Sequence, residues 1–204
     1  MTVTVHWIPL GAGGRTVPVC GRAYERLAAA WARRPPQALV HAALTITEPA
    51  CTVEMAPAWS PVVGEPRTCV DGPVGMRILG HFTLFRYQIR CLADGCIPDL
   101  SYAVASTSLT PPQAQVDRLL AAVADVPRFV WGRRAGTTSE MWNSNSVVAW
   151  LLTTSAIALP TDFGPPTGYR APGWTAGRLI ADGSGITPPT TGFQACRQWR
   201  RPQP

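Results

Sequence analysis

The sequence predicts an α+β fold, a mostly antiparallel sheet packed against a buried central helix, and three observations carry that prediction. Short runs that read as strands recur through the first half of the chain, the first of them alternating and closed by Pro9. The stretch from Asn143 to Ile157 is long enough for a helix and apolar on nearly every side, so it belongs in a core. With 46% hydrophobic residues, 21 Pro and 18 Gly in 204 residues, the chain has one core's worth of apolar material and many turns. We expect a single domain over residues 1–182 and a Gly/Pro/Thr-rich, basic, poorly ordered tail over 183–204.

The elements follow in order. Thr4, His6 and Ile8 alternate with Val3, Val5 and Trp7 as a strand ending at Pro9. Gly11-Ala12-Gly13-Gly14 has the glycine content of a phosphate loop but no P-loop lysine, and reads as a turn leading to a further strand over 15–19. Residues 22–33 place Tyr24, Leu27, Ala28 and Trp31 on one helical face, stopped by Pro35-Pro36. Ala38 to Ile46 is a mostly apolar strand carrying His41, and Cys51 to Met55 is its hairpin partner. Residues 57–75 read as an irregular loop, with strands over Met76 to Leu79 and Phe82 to Arg90. Pro111-Pro112 open a helix whose stripe is Val116, Leu119, Leu120 and Val123. Phe129-Val130-Trp131 is a short buried piece before the central helix.

Charge and cysteines bound the function. Charged residues are 15%, and all 18 basic residues are arginine, giving a net charge of +6. A basic balance invites an anionic partner. The arginines are nevertheless scattered, and no helix-turn-helix, zinc-finger or RNA-recognition signature accompanies them, so no specific nucleic-acid partner is expected. No apolar run approaches the roughly 18 residues of a membrane span. The N-terminus lacks the charged and apolar regions of a signal peptide, so the expected location is cytoplasmic, with reduced thiols. Cys91 and Cys96 could face each other across a tight loop. No second ligand pair stands at zinc spacing, so neither a metal nor another cofactor is expected. The six cysteines allow 15 pairings, and both pairing and oligomeric state stay open.

One constellation could carry chemistry. The buried helix opens with Asn143-Ser144-Asn145-Ser146. Asn and Ser are preferred caps for orphan first-turn amides. A hydroxyl there also lies at the positive end of the helix dipole, where an oxyanion is stabilised. A serine nucleophile needs a base, for which His41 is the candidate, and Glu54 on the neighbouring strand is the acid that could orient it. The alternatives are a satisfied core histidine and an ordinary salt bridge. In the later turn-rich segment, Arg170 and Trp174 could join Trp142 as a cleft wall for an acyl or peptide group, or Tyr169 and Trp174 could simply plug the core.

This order, with Val40-His41-Ala42-Ala43-Leu44, then Val53-Glu54, then Asn143-Ser144-Asn145-Ser146 before an apolar run, is similar to the circularly permuted papain-like superfamily. That superfamily includes the lecithin:retinol acyltransferase-like enzymes and permuted bacterial amidases. The resemblance implies a hydrolase or acyltransferase acting on an amide or ester of a small-molecule, acyl or peptide substrate. Ser144 stands where that family has cysteine, His41 would be the base, Glu54 the orienter, and the helix start with Asn143, Asn145 or Ser146 the oxyanion site. Serine in place of cysteine removes the readily formed thiolate, so a catalytically inactive binding or interaction domain is the alternative. The chain also resembles a group of uncharacterised actinobacterial proteins at Trp7-Ile8-Pro9-Leu10-Gly11-Ala12-Gly13-Gly14, Gly72-Pro73-Val74-Gly75, Leu84-Phe85-Arg86-Tyr87 and Met141-Trp142-Asn143-Ser144-Asn145-Ser146, a likeness that implies no activity.

Overall fold

The computed structural model describes residues 1–12, 16–60, 66–93 and 97–183. In chain order these form β1 (Val3–Pro9), α1 (Thr16–Trp31), β2 (Ala38–Thr47), β3 (Ala50–Pro57), β4 (Pro66–Pro73) and β5 (Arg86–Ala93). There follow β6 (Ala105–Leu109), α2 (Gln113–Ala122), α3 (Ser144–Thr154), β7 (Tyr169–Arg170) and α4 (Trp174–Ala181). The strands make one seven-stranded sheet in the order β4-β5-β3-β2-β1-β6. Neighbours in that order are antiparallel, and β7 adds a short parallel pairing to β2 at Ala38 and Leu39. The α+β architecture is therefore as the sequence predicts.

Period-two alternation decides what each strand buries. Val3, Val5 and Trp7 of β1, Val40, Ala42, Leu44 and Ile46 of β2, and Val53 and Met55 of β3 enter one core with Tyr87 and Ile89 of β5. Val147, Val148, Leu151 and Leu152 of α3 complete that core from the helix side. The opposite face is mostly polar, with a small second cluster of Ile8, Ala43, Leu92 and Ile97. A 3-10 turn over Pro98–Tyr102 follows Ile97, and Leu100 packs against this second cluster. α4 crosses α3 so closely that a Cβ on Gly177 would stand 2.1 Å from the Ser146 carbonyl oxygen.

Four local expectations are corrected. The strand expected over 15–19 is, from Thr16, the first turn of α1; Pro18 lacks only an amide that a first turn does not use. Residues 66–73, read as irregular loop, form the edge strand β4, where Pro66 and Pro73 are tolerated because an edge leaves one side unpaired. The strand expected over Met76 to Leu79 is instead a 3-10 turn over Arg77–His81, followed by another over Thr83–Phe85. Neither turn buries a residue, so no sheet face existed to hold an alternating pattern. β6 and α4 were not anticipated, and α4 occupies the end of the stretch read as turn-rich.

The fourth correction concerns α1. Its apolar stripe, Tyr24, Leu27 and Trp31, faces outward, and the buried positions are Gly21, Glu25 and Ala29. Two small residues allow close approach to the domain, and Gly21 lies against Leu10 and Leu39. The carboxylate between them is held by Arg34 and Arg170, with the Gln37 amide donating at 3.0 Å. The tail expected over 183–204 lies, apart from Gly183, outside the described residues, as do Gly13, Gly14 and Cys96.

Candidate functional site

The start of α3 is a complete capping box. Asn143 Oδ1 accepts from the Ser146 amide at 3.2 Å, and Ser146 Oγ accepts from the Asn143 amide at 3.2 Å. Ser146 Oγ also donates to the Met141 carbonyl at 3.0 Å. Asn143 Nδ2 donates to the Pro172 carbonyl at 2.8 Å. Asn145 Nδ2 donates to the same carbonyl at 2.9 Å and to the Val40 carbonyl at 3.1 Å. Val40 lies between the part of β2 that pairs with β3 and the part that pairs with β7. Asn145 therefore serves a carbonyl at a gap in the sheet, and Asn143 and Asn145 together tie α3 to the turn that starts α4. The Asn143 and Ser146 side chains, the Ser146 amide and Asn145 Nδ2 are committed to this framework, whereas Asn145 Oδ1 is buried without a hydrogen-bond partner among the described residues.

Ser144 is buried at the first position of α3, and its hydroxyl makes no hydrogen bond among the described residues. His41 does not approach it. Val40 and Ala42 point to the face that α3 covers, so alternation sends His41 to the other face, with Ala43. There His41 Nε2 meets Asp99 Oδ2 at 3.2 Å. Glu54 pairs across from Arg90 on the same side, 4.0 Å from its guanidinium. Ser144 and the expected His41–Glu54 pair are thus on opposite sides of the sheet, and the expected Ser144/His41/Glu54 triad is not assembled. A base must be within hydrogen-bond reach, or one water, of the proton it removes.

The acid partner of His41 is Asp99, which the sequence did not mark. It sits in the 3-10 turn and reaches His41 only through the fold. Asp99 titrates below its ordinary range because His41 hydrogen-bonds it. Glu54 is pushed above its range chiefly by burial, with Asp99 adding to the effect and Arg90 and His41 opposing it. The buried Arg90 is engaged by the Gln88 side chain and by the carbonyls of Pro57, Ala58 and Ser60. On the same face His6 lies 2.8 Å from both Ser106 Oγ and Thr45 Oγ1, and burial lowers its pKa. That arrangement is a cross-strand polar ladder on an open sheet face, continued by Thr4 and Ser108 at 3.0 Å.

The expected cleft wall separates likewise. Trp142 is fully buried beside Phe129, and Trp174 packs onto Trp7 and Phe163 with ring centroids 5.0 and 5.8 Å away. Both are core plugs. Arg170 alone borders a cleft of about 220 Å³, with Tyr24, Arg134, Ser139, Glu140 and Met141. Arg170 is also committed to Glu25 at 3.1 Å. Burial would raise the Glu25 pKa, yet the hydrogen bonds from Arg34, Gln37 and Arg170 outweigh it and hold the carboxyl below its ordinary range.

A depressed carboxyl pKa stabilises the fold above its unfolded value, and that gain is lost as pH falls through the folded value. Glu25→Gln is therefore expected to lose about 1–3 kcal/mol at neutral pH. Its deficit against wild type should shrink between about pH 5 and about pH 3, read by urea unfolding at each pH. A deficit that does not change with pH would remove the carboxylate from this account.

Cys91 Sγ lies 3.6 Å from Cys69 Sγ across β4 and β5, while its expected loop partner Cys96 is outside the described residues. Burial, with Cys69 nearby, pushes the neighbouring Cys51 thiol up to about 11. No group of three or more His, Cys, Asp or Glu side chains suited to a metal occurs among the described residues. No helix among them is long and apolar enough to cross a membrane. Compared with known proteins, the chain matches no family model, no curated protein and no solved structure.

Proposed function

We infer that this chain is a non-catalytic binding domain. The observation that carries the reading is the separation of Ser144 from His41 and Glu54 by the sheet, with Asn143 and Ser146 engaged in the capping box. A serine hydroxyl at a helix start needs a base to become a nucleophile, because the dipole alone cannot bring its proton into the neutral range. The papain-like resemblance thus extends to motif order and the buried helix, and the hydrolase or acyltransferase activity it implies lacks its proton acceptor.

A fluorophosphonate probe tests this directly. Wild type and Ser144→Ala are expected to give identical, unlabelled peptides around Ser144, and the two proteins should hydrolyse an activated ester at the same background rate. Labelling that vanishes in Ser144→Ala would overturn the reading and restore the serine hydrolase.

A further inference from the structure

Three thiols gather on the core face of the sheet at its β4 end. Cys51 of β3 and Cys91 of β5 are buried there, and Cys69 of β4 packs half-buried against the same core. Along β4 and β5 the register steps from Thr68 opposite Arg90 to Val70 opposite Ile89. Cys69 thus stands as an extra residue between two paired positions, on a strand with sheet along one side only. Its thiol lies 3.6 Å from both the Arg67 carbonyl oxygen and Cys91 Sγ. Cys69 is the thiol that solvent reaches first, and Cys91 is the one behind it.

We propose that Cys69 and Cys91 are a reversible disulfide site, closed by a peroxide in the folded protein and fastening β4 to β5. Neither thiol belongs to the α3 start, so the site stands apart from the binding-domain reading. Neighbouring strands run about 4.8 Å apart, and a disulfide spans Cα separations of about 4.4–6.8 Å. The two sulfurs need come only about 1.5 Å closer to bond, which an edge residue outside the regular pairing absorbs by side-chain rotation. Cys51 is the poorer partner. It stands across from Ala93, so Cys91 is its diagonal neighbour at about 7–8 Å, and β5 separates it from Cys69. Burial, which pushes its thiol up to about 11, also keeps it protonated.

The electrons balance with hydrogen peroxide as oxidant. The Cys69 thiolate attacks one peroxide oxygen, the O–O bond breaks, and the departing hydroxide takes up the thiol proton as water. The Cys91 sulfur then attacks the sulfenic acid so formed; the S–S bond forms, the S–O bond breaks, and water leaves with the Cys91 proton. Two thiols give up two electrons, and one peroxide becomes two waters. A small dithiol reverses the bridge by exchange through a mixed disulfide. The bridge closes a ring of roughly 20 residues that holds both 3-10 turns, and so restricts the unfolded chain.

The test treats the reduced full chain with hydrogen peroxide under native conditions and maps its thiols by differential alkylation. A peptide linking Cys69 to Cys91, and full recovery of both thiols with dithiothreitol, are expected. Cys20 is exposed and invites cross-links between copies, so Cys20→Ser is run in parallel and should give the same internal link. The same oxidation in urea should scatter over the six cysteines, because the fold no longer selects the pair. The oxidised protein should unfold about 5–10 °C above the reduced one, a gap that Cys69→Ala abolishes. Should that variant fail to fold, the map of the wild type decides.

A native link joining Cys69 or Cys91 to any other cysteine, including Cys51 or Cys96, overturns the proposal. Oxidation of Cys69 to sulfinic acid without a bridge, or no loss of thiols, does the same. A Cys69–Cys91 bridge that dithiothreitol leaves intact, or that leaves the unfolding temperature unchanged, also overturns it.

Discussion

Asn145→Asp is expected to unfold the protein far more readily than Asn145→Ala, although aspartate is the closer match in shape. Asn145 is buried and its Nδ2 faces two carbonyl oxygens, those of Val40 and Pro172. Alanine removes both donors. Pro172 keeps the Asn143 amide, so the orphan is the Val40 carbonyl, and the cost is about 1–3 kcal/mol. A carboxylate instead presses negative charge onto both acceptors in a dry site, which costs about 3–5 kcal/mol. The two variants also differ in pH response. The introduced carboxyl has a folded pKa above its unfolded one, so its penalty is full at neutral pH and recedes as pH falls towards the unfolded value. Urea unfolding at about pH 7 and about pH 5, each referenced to wild type, should show the aspartate variant gaining on the alanine one. Equal stability at neutral pH would mean that Asn145 is not held between those carbonyls.

Gly177→Ala gives the second large effect, and its sign runs against helix propensity. In a helix interior, alanine is favoured over glycine by about 1 kcal/mol. Here the added Cβ would stand 2.1 Å from the Ser146 carbonyl oxygen and 2.8 Å from its carbon. Those atoms are backbone of the most buried helix, so α4 must back away and loosen Trp174 and Ile180 in the core. Overpacking of this kind costs about 1–3 kcal/mol and overrides the propensity gain. A drop of roughly 2–10 °C in Tm is expected for a chain of this size. Gly164→Ala, where nothing stands within 4 Å and φ is not positive, should remain near wild type. If Gly177→Ala is as stable as Gly164→Ala, the close crossing of α3 and α4 is wrong.

These results bear on how much a single sequence discloses. The α3 segment was legible because Val147 to Leu152 leave no polar face and Asn143 stands where a cap belongs. The strand around His41 was legible too, but the side of the sheet it faces was not. In Ala42-Ala43-Leu44 both faces are apolar, and the neighbour that distinguishes them, α3, arrives about a hundred residues later. Asp99 escaped notice for the same reason, since only the turn after β5 brings it to His41. The α1 misreading was of another kind. Tyr24, Leu27 and Trp31 make the obvious apolar stripe, yet burial went to Gly21, Glu25 and Ala29, where small residues permit contact and Arg170, 145 positions away, neutralises the acid. Hydrophobic periodicity identifies a stripe; it does not say whether the domain itself or something outside covers it.

The two outer strands of the sheet carry a final consequence. Many proteins guard such strands with lysine, and this chain contains none. β4 begins and ends on proline and is interrupted by an irregularity between Thr68 and Val70. β6 is five residues long and turns Ser106 and Ser108 outward. Neither offers the long, flat, apolar rim that templates cross-β growth. Fibril formation by this protein accordingly requires prior detachment of a strand, and its onset should follow unfolding conditions rather than concentration of the native chain.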